Sequence, residues 1–209
     1  GGIERTSGMT EQQFDRNAWQ TPKYVFNWLK NKFGWFDLDG CANAKNALCC
    51  RYIGDQGTGD DENLSIAPDF LADNLFDLLL DEVAEVCSFP LRIFVNPPYN
   101  NPLPFVLRAA ELRKAGYFVV MLLPMDKSTE WFEVIRKEAN EVIDIIGFTD
   151  HKGRFNSGRI KFINPVTGDE VGGNNKGSMI VVFDPCADDF VQRSVSIGHI
   201  QKCGGYDDK

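Results

Sequence analysis

The sequence predicts an α/β fold built on a doubly wound, mostly parallel sheet, and three observations carry that expectation. Strand-like and helix-like patterns alternate along almost the whole chain. The run Tyr117-Phe118-Val119-Val120-Met121-Leu122-Leu123 is apolar without interruption, as a central parallel strand covered on both faces requires. A second apolar run, Arg92 to Val95, stops abruptly at Asn96-Pro97-Pro98-Tyr99. Open α/β sheets hold their ligands beyond such strand ends.

The elements follow in order. Thr21 can cap a first helix opened by Pro22, with Val25, Trp28, Leu29 and Phe33 at helical spacing and Gly34 closing it. Residues 35–42 alternate apolar and acidic, then end in small residues, which suits a first strand and its turn. A helix over 43–50 and a short strand at Arg51-Tyr52-Ile53 come next. Residues 54–63 hold Asp55, Asp60, Asp61 and Glu62 among three glycines and read as a loop. Leucines and phenylalanines at helical intervals predict an acidic-faced helix over 69–86. Beyond the Arg92–Val95 strand, a helix over 102–114 turns Val106, Leu107, Ala110 and Leu112 inward, and Gly116 ends it. Pro124 stops the central strand, Ser128 or Thr129 can cap a helix over 131–140, and 142–148 reads as another strand. Segments 159–163 and 179–183 read as a β-hairpin at the sheet edge. One domain is expected over 19–186, with a flexible arm at 1–18 and a polar tail at 187–209.

Composition narrows the setting. Of 209 residues, 43% are hydrophobic and 25% charged, which suits an ordinary globular chain. No apolar run nears the roughly eighteen residues of a membrane span, and no basic-then-apolar leader opens the chain, so a soluble, cytoplasmic protein is expected. The six cysteines include no Cys-x-x-Cys pair and the only histidines are His151 and His199, so no metal is expected and the thiols read as reduced. A net charge of −8 argues at first sight against a polyanionic partner. From 148 to 176, however, five Lys/Arg stand against three acids, which admits nucleic acid through a local patch.

The chemistry concentrates at Asn96 to Tyr99. Asn96 precedes a proline and is biased towards an extended conformation, while Pro97 and Pro98 fix two φ angles and remove two backbone donors. Carbonyls in this turn are therefore free to accept from a ligand, and Tyr99 projects a ring from the same rigid corner. Asn-Pro-Pro-Tyr resembles the catalytic motif of S-adenosylmethionine-dependent amino-methyltransferases. An exocyclic amine on a purine is a poor nucleophile, because its lone pair is delocalised into the ring. The Asn96 side-chain oxygen and the Pro97 carbonyl could accept from its N–H groups and favour the pyramidal nitrogen, an electrostatic rather than acid–base contribution. Tyr99 would stack on the base, worth roughly 1–3 kcal/mol, and a base in a duplex would have to be flipped out to reach this corner.

A donor site is expected at the end of the first strand. Asp37-Leu38-Asp39-Gly40-Cys41-Ala42 lacks a Gly-x-Gly dinucleotide fingerprint, but small residues at Gly40 and Ala42 would let a ligand approach the backbone. Asp37 or Asp39 could meet the methionyl ammonium, and Asp55 stands where a ribose-binding acid is expected, among several alternatives.

The resemblance then widens. Thr21-Pro22, Asp39-Gly40-Cys41-Ala42 with Asn46-Ala47, Asn96 to Tyr99, Leu122-Leu123-Pro124 with Thr129-x-Trp131-Phe132, and Gly158-Arg159-Ile160-x-Phe162 with Gly177-Ser178 together resemble the phage-type DNA N6-adenine methyltransferases (Dam-type). The resemblance covers roughly 20–185, with the motifs in the family's order. It implies a Rossmann-like methyltransferase fold, S-adenosylmethionine as donor, adenine N6 in DNA as acceptor, and a phage or prophage setting. Carried over, Asn96, Pro97, Pro98 and Tyr99 become the catalytic corner, with Thr21, Pro22, Asp37, Asp39, Cys41, Ala42, Asp55 and Asn96 as donor-site candidates. An acidic segment at about 69–88 departs from the family. For DNA the candidates are Lys127, Ser128, Arg154, Arg159, Lys161 and Lys176, each of which could equally be a solvated surface group. A protein glutamine-amide methyltransferase, an inactive DNA-binding relative and N4-cytosine methylation are the competing readings.

Overall fold

The structure, a computed structural model, describes residues 19–57, 62–86 and 90–207. The arm expected over 1–18 lies outside the described residues, as do Asp60 and Asp61. In chain order the elements are α1 (Lys23–Phe33), β1 (Leu38–Asp39), β2 (Arg51–Ile53), β3 (Leu64–Ala67), α2 (Leu75–Val86), β4 (Arg92–Val95), α3 (Leu103–Lys114), β5 (Phe118–Pro124), α4 (Glu130–Glu138), β6 (Glu141–Ile146), β7 (Phe148–Thr149), β8 (Phe155–Asn156), β9 (Ser178–Phe183), β10 (Val191–Ser196) and α5 (Ile197–Gly204). Among the described residues, eight strands form one sheet in the order β10-β6-β9-β5-β4-β1-β2-β3, and β7 pairs with β8 apart from it. Neighbours in the sheet are parallel except on the two sides of β9. From β1 the chain moves outward to β3 and then returns to β4 on β1's other side. The β1–β4 seam is therefore the topological switch point.

β5 has all seven residues buried, and its side chains alternate between two cores. Val119, Met121 and Leu123 face the helices α2, α3 and α4, whereas Phe118, Val120 and Leu122 face α1 and α5. Burying each large apolar side chain contributes about 1.5–3 kcal/mol, so an unbroken apolar run is stable only with a helix layer on each face. β4 repeats the pattern: Ile93 and Val95 point one way, and Phe94 points the other, where its ring meets Phe26 at 5.3 Å and Phe36 at 6.1 Å. The doubly wound α/β expectation stands. No helix among the described residues is long and apolar enough to cross a membrane.

Several local expectations give way. Residues 43–50 form turns rather than a helix, because asparagine side chains capture the backbone donors. Asn43 Oδ1 accepts from the amides of Lys45 and Asn46, and Asn46 Oδ1 from that of Asn43. The first strand keeps only two residues. The helix expected from 69 starts at Leu75, since Asp69 Oδ1 takes the Leu71 amide and holds a turn. Thr21 does not cap α1; the N-cap position belongs to Pro22. Thr129 does cap α4, accepting from Phe132 N.

The largest departure is at the C-terminal end. The hairpin expected at the sheet edge is not there. Ser178–Phe183 runs antiparallel between β5 and β6, with all six residues buried, whereas 159–163 forms no strand of the sheet and has isolated bridges of Ile163 to Gln20 and Glu170, with Ile160 and Phe162 buried in the core. The edge is taken by β10, from the stretch expected to be a polar tail, and α5 follows it. Three exposed residues in the middle of β10 gave it a polar signature, which is what an edge strand requires. α5 seats on α1 so closely that a Cβ at Gly204 would stand 1.9 Å from the Tyr24 carbonyl oxygen. Asn27 and Asn31 of α1 donate to the Gly204 and Cys203 carbonyls at 3.2 and 3.1 Å, satisfying the last turn of α5.

Gly204→Ala should therefore push α5 off α1 and destabilise the protein by roughly 2 kcal/mol or more. Differential scanning calorimetry checks it, and an unchanged melting midpoint would mean that α5 is not seated in this way.

Candidate active site

Two neighbouring turns leave the same edge of the sheet, one after β1 at the switch point and one after β2. Gly40, after β1, donates its amide to the Phe94 carbonyl at 2.7 Å, which draws the turn against β4. A Cβ at Gly40 would lie 2.8 Å from Val95 Cγ2, so the turn has no room for a side chain. Gly54, after β2, has φ +154°, and a Cβ there would fall 1.8 Å from the Ala42 carbonyl oxygen. The two turns thus pack backbone against backbone. Beside them opens a cavity of about 430 Å³ lined by Gly40, Cys41, Ala42, Asp69, Phe70 and Asn96, among others.

One wall of that cavity is apolar. Phe70 is buried and stacks on Phe105 at 5.9 Å with 6° between the rings, and Ile53 lies beside them. Arg108 pins the loop by donating to the carbonyls of Phe70 and Ala72 at 3.0 and 3.1 Å. The described part of the acidic segment, residues 69–86, is thus packed structure. Its leading turn closes the cavity, and an ion pair from Glu82 to Arg51 ties α2 to β2. The rim is polar, with the exposed carboxylate of Asp69 and the amides of Asn43 and Asn46.

The Asn96 corner borders the same cavity through Asn96 and Pro98. Asn96 Nδ2 donates to Thr21 Oγ1 at 2.9 Å. With its nitrogen engaged, the amide keeps its oxygen as an available acceptor. Pro97 is buried. Tyr99 is half-buried with its ring edge-on to Phe162 at 5.9 Å and 82°. Its hydroxyl is buried without a hydrogen-bond partner among the described residues, and burial raises its pKa. The phenol is therefore held neutral.

The other donor-site candidates divide. Cys41, Ala42 and Asn96 line the cavity; Thr21, Pro22, Asp37, Asp39 and Asp55 do not. Asp37 sits at the opposite end of the strands, where its carboxylate accepts from Arg92 N at 2.9 Å, so it braces the start of β4. Asp39 is buried, and its two oxygens accept from Cys41 N at 3.3 Å and Leu48 N at 3.1 Å. It shapes the turn from beneath. Asp55 is exposed, and its backbone carbonyl accepts from the Tyr52 hydroxyl. Thr21 holds the Asn96 amide, and Pro22 starts α1. Burial also raises the thiol pKa of Cys41, which keeps that thiol protonated.

Sequence reasoning missed Gly54, Asp69, Phe70 and Phe105. The available signal was Pro68-Asp69 directly after Ile66-Ala67, a strand end at the same edge of the sheet, but β3 itself was too short to read.

Most of the basic candidates are engaged. Lys127 pairs with Asp144 at 2.7 Å and reaches Gln192 at 3.3 Å, Lys176 pairs with Asp126 at 3.1 Å, and Arg154 with Asp150 at 3.6 Å. Ser128 donates to Asp126. Arg159 and Lys161 have no ion-pair partner among the described residues and line a second cavity.

Comparison with known proteins gives this geometry a context. A family model described as "DNA N-6-adenine-methyltransferase (Dam)" matches residues 8–64 and 84–203. A DNA N-6-adenine-methyltransferase of Haemophilus phage HP1 (strain HP1c1) is 35% identical over 175 residues, covering 83% of this chain and 82% of that protein. One of Escherichia phage T1 is 29% identical over 202 residues, covering 95% and 71%. Among solved structures, a cryo-EM DrdV–DNA complex aligns with a TM-score of 0.49 at 11% identity, over 92% of this chain and only 29% of that one, a likeness too loose to build on.

Burial pushes the Asp39 carboxyl up from 3.8 to about 7, with the Leu48 and Cys41 amides opposing it. A raised carboxyl pKa stabilises the fold while the group is protonated in it. That contribution is complete below about pH 4 and is lost as pH rises through about 7. The stability advantage of the wild type over Asp39→Asn should accordingly shrink between pH 5 and pH 8 in urea titrations. A gap that stays constant over that range would place the carboxyl in solvent-like surroundings.

Proposed function

The chain belongs to the DNA N-6-adenine-methyltransferase (Dam) family, and we propose that it transfers a methyl group from S-adenosylmethionine to the exocyclic N6 of adenine in DNA. The observation that carries this reading is the Asn96 amide, held by Thr21 with its oxygen available, at the mouth of the cavity formed by the Gly40–Ala42 turn. An acceptor for an amine and a slot for a donor meet at one seam of the sheet.

The cavity residues fit the donor. Ile53, Phe70 and Phe105 offer apolar surface to a flat adenine ring, while Asp69, Asn43 and Asn46 offer a carboxylate and amides to hydroxyls and an ammonium. The close backbone approach at Gly40 and Gly54 keeps that slot open. Bound there, S-adenosylmethionine supplies an electrophilic methyl group on a sulfonium.

The chain's own residues prepare the nucleophile. Asn96 Oδ1 and the Pro97 carbonyl accept from the adenine N6 hydrogens, which localises the lone pair and stabilises the positive charge growing on nitrogen. Neither group is a base, so their contribution is electrostatic, and loss of one such contact costs about 10²–10³ in rate. The Tyr99 ring, braced by Phe162, stacks on the flipped base. Of the DNA-contact candidates Arg159 and Lys161 are the freest to meet phosphates; Lys127, Ser128, Arg154 and Lys176 would first exchange an internal partner. Both phage relatives carry the same activity in their names, and a bacterial cytoplasm holding phage or host DNA is the setting that follows.

The direct test is incubation with radiolabelled S-adenosylmethionine and unmethylated DNA or cell extract, followed by digestion to nucleosides. Label is expected in N6-methyladenine; label in protein alone, or in N4-methylcytosine, would overturn the reading. Asn96→Ala should lower transfer by about 100-fold or more while calorimetric donor binding is retained. Loss of donor binding instead would put Asn96 in the donor pocket. Thr21→Val keeps the volume but removes the acceptor for Asn96 Nδ2, and should slow transfer by about tenfold without loosening donor binding. An undiminished rate would mean that the amide needs no such hold.

A further inference from the structure

The second cavity has a volume of about 620 Å³, larger than the donor cavity and within the range of a nucleotide-sized site. It lies behind the catalytic corner, across segment 159–163. On one side of that segment Phe162, 1% exposed, touches the Tyr99 ring, and Ile163 exchanges two backbone hydrogen bonds with Gln20, the neighbour of Thr21. On the other side Arg159 and Lys161 border the cavity. Segment 159–163 therefore reaches both sites, Phe162 meeting the Tyr99 ring at 5.9 Å while its neighbour Lys161 borders the cavity.

The lining is a nucleotide's chemical complement. Arg159 and Lys161 are exposed cations without an ion-pair partner among the described residues, which suits a phosphate. Phe155, at the rim on β8, is 74% exposed and suits a base face. Asn175 and Glu170 carry the amide and carboxylate that can read a base edge, as can the fork of Arg159. We propose that this cavity takes a nucleotide close to the flipped adenine in the substrate strand and reads its base, setting the sequence context of methylation. The inference rests on adenine in DNA being the substrate.

The test uses a pool of duplexes with one central adenine and randomised flanks, methylated by the full-length wild type, Arg159→Lys, Arg159→Ala and Asn175→Ala, after which the methylated fraction is sequenced. The wild type should prefer one base at a fixed flanking position. Asn175→Ala and Arg159→Ala should weaken that preference by about tenfold relative to the other flanking positions. Arg159→Lys should weaken it too, while keeping the salt dependence of DNA binding that Arg159→Ala reduces, since the charge survives and the fork does not. Both positions are exposed, and unchanged melting midpoints exclude misfolding as the cause. A wild type without flanking preference, or variants that slow every context equally, overturns the inference while leaving adenine methylation intact. A wild type that methylates no duplex overturns the parent reading and this one together.

Discussion

Gly40 donates its amide to the Phe94 carbonyl at 2.7 Å, and that backbone bond sets where the turn after β1 must lie. The turn cannot lean away, because Ala42 also donates to the Ile53 carbonyl at 3.1 Å. It cannot carry a side chain at position 40, because Val95 fills the space. β1 supplies only two residues to the sheet, yet it pairs on both sides, with β4 and with β2. Such a short strand keeps its place through its neighbours, and the cavity inherits that rigidity. A transfer that needs donor, methyl and nucleophile in line gains from having both halves of the site hung on one seam.

The Asn96 amide depends on a different part of the molecule. Its partner Thr21 sits immediately before Pro22, the N-cap of α1, so the position of that helix decides where the hydroxyl stands. Val25, Trp28 and Leu29 bury the inner face of α1, and Phe26 packs among Phe36 and Phe94 on the sheet. α5 covers it from outside through Gly204 and the two asparagine contacts. The last turn of α5 therefore supports Thr21 and the Asn96 amide through α1, although it does not line the cavity beside Asn96.

Legibility follows from how much of each feature is local. The β4 and β5 strands and the Asn96 corner were readable because apolar runs and prolines act on their own residues. The turn at Gly40–Ala42 was readable for the same reason, since small residues announce close approach. What failed was relational. Asp37 and Asp39 are two residues apart, yet one braces the far end of β4 and the other is buried under the turn, a difference set by partners distant in sequence. β9 reads identically at an edge and in the middle of a sheet until β10 is placed beside β6. β10 and α5 were missed because their few apolar residues, among them Val195, Ile197 and Ile200, are diluted by an exposed face. Phe70 and Phe105 stack across 35 positions of sequence, a pairing that periodicity does not carry.

Charge explains how a protein of net charge −8 can address DNA, and what that implies for selectivity. Lys127, Lys176 and Arg154 are already balanced by Asp144, Asp126 and Asp150, so engaging phosphate would break an existing pair for a new one with little net gain. Arg159 and Lys161 forgo no such ion pair. Each phosphate contact adds about −0.9 to the salt slope of duplex binding, so these two cations by themselves supply a small electrostatic contribution. In the proposed reading, discrimination falls to the groups that would meet bases: the ring of Tyr99, the amide of Asn96, and the mixed lining of the cavity across segment 159–163.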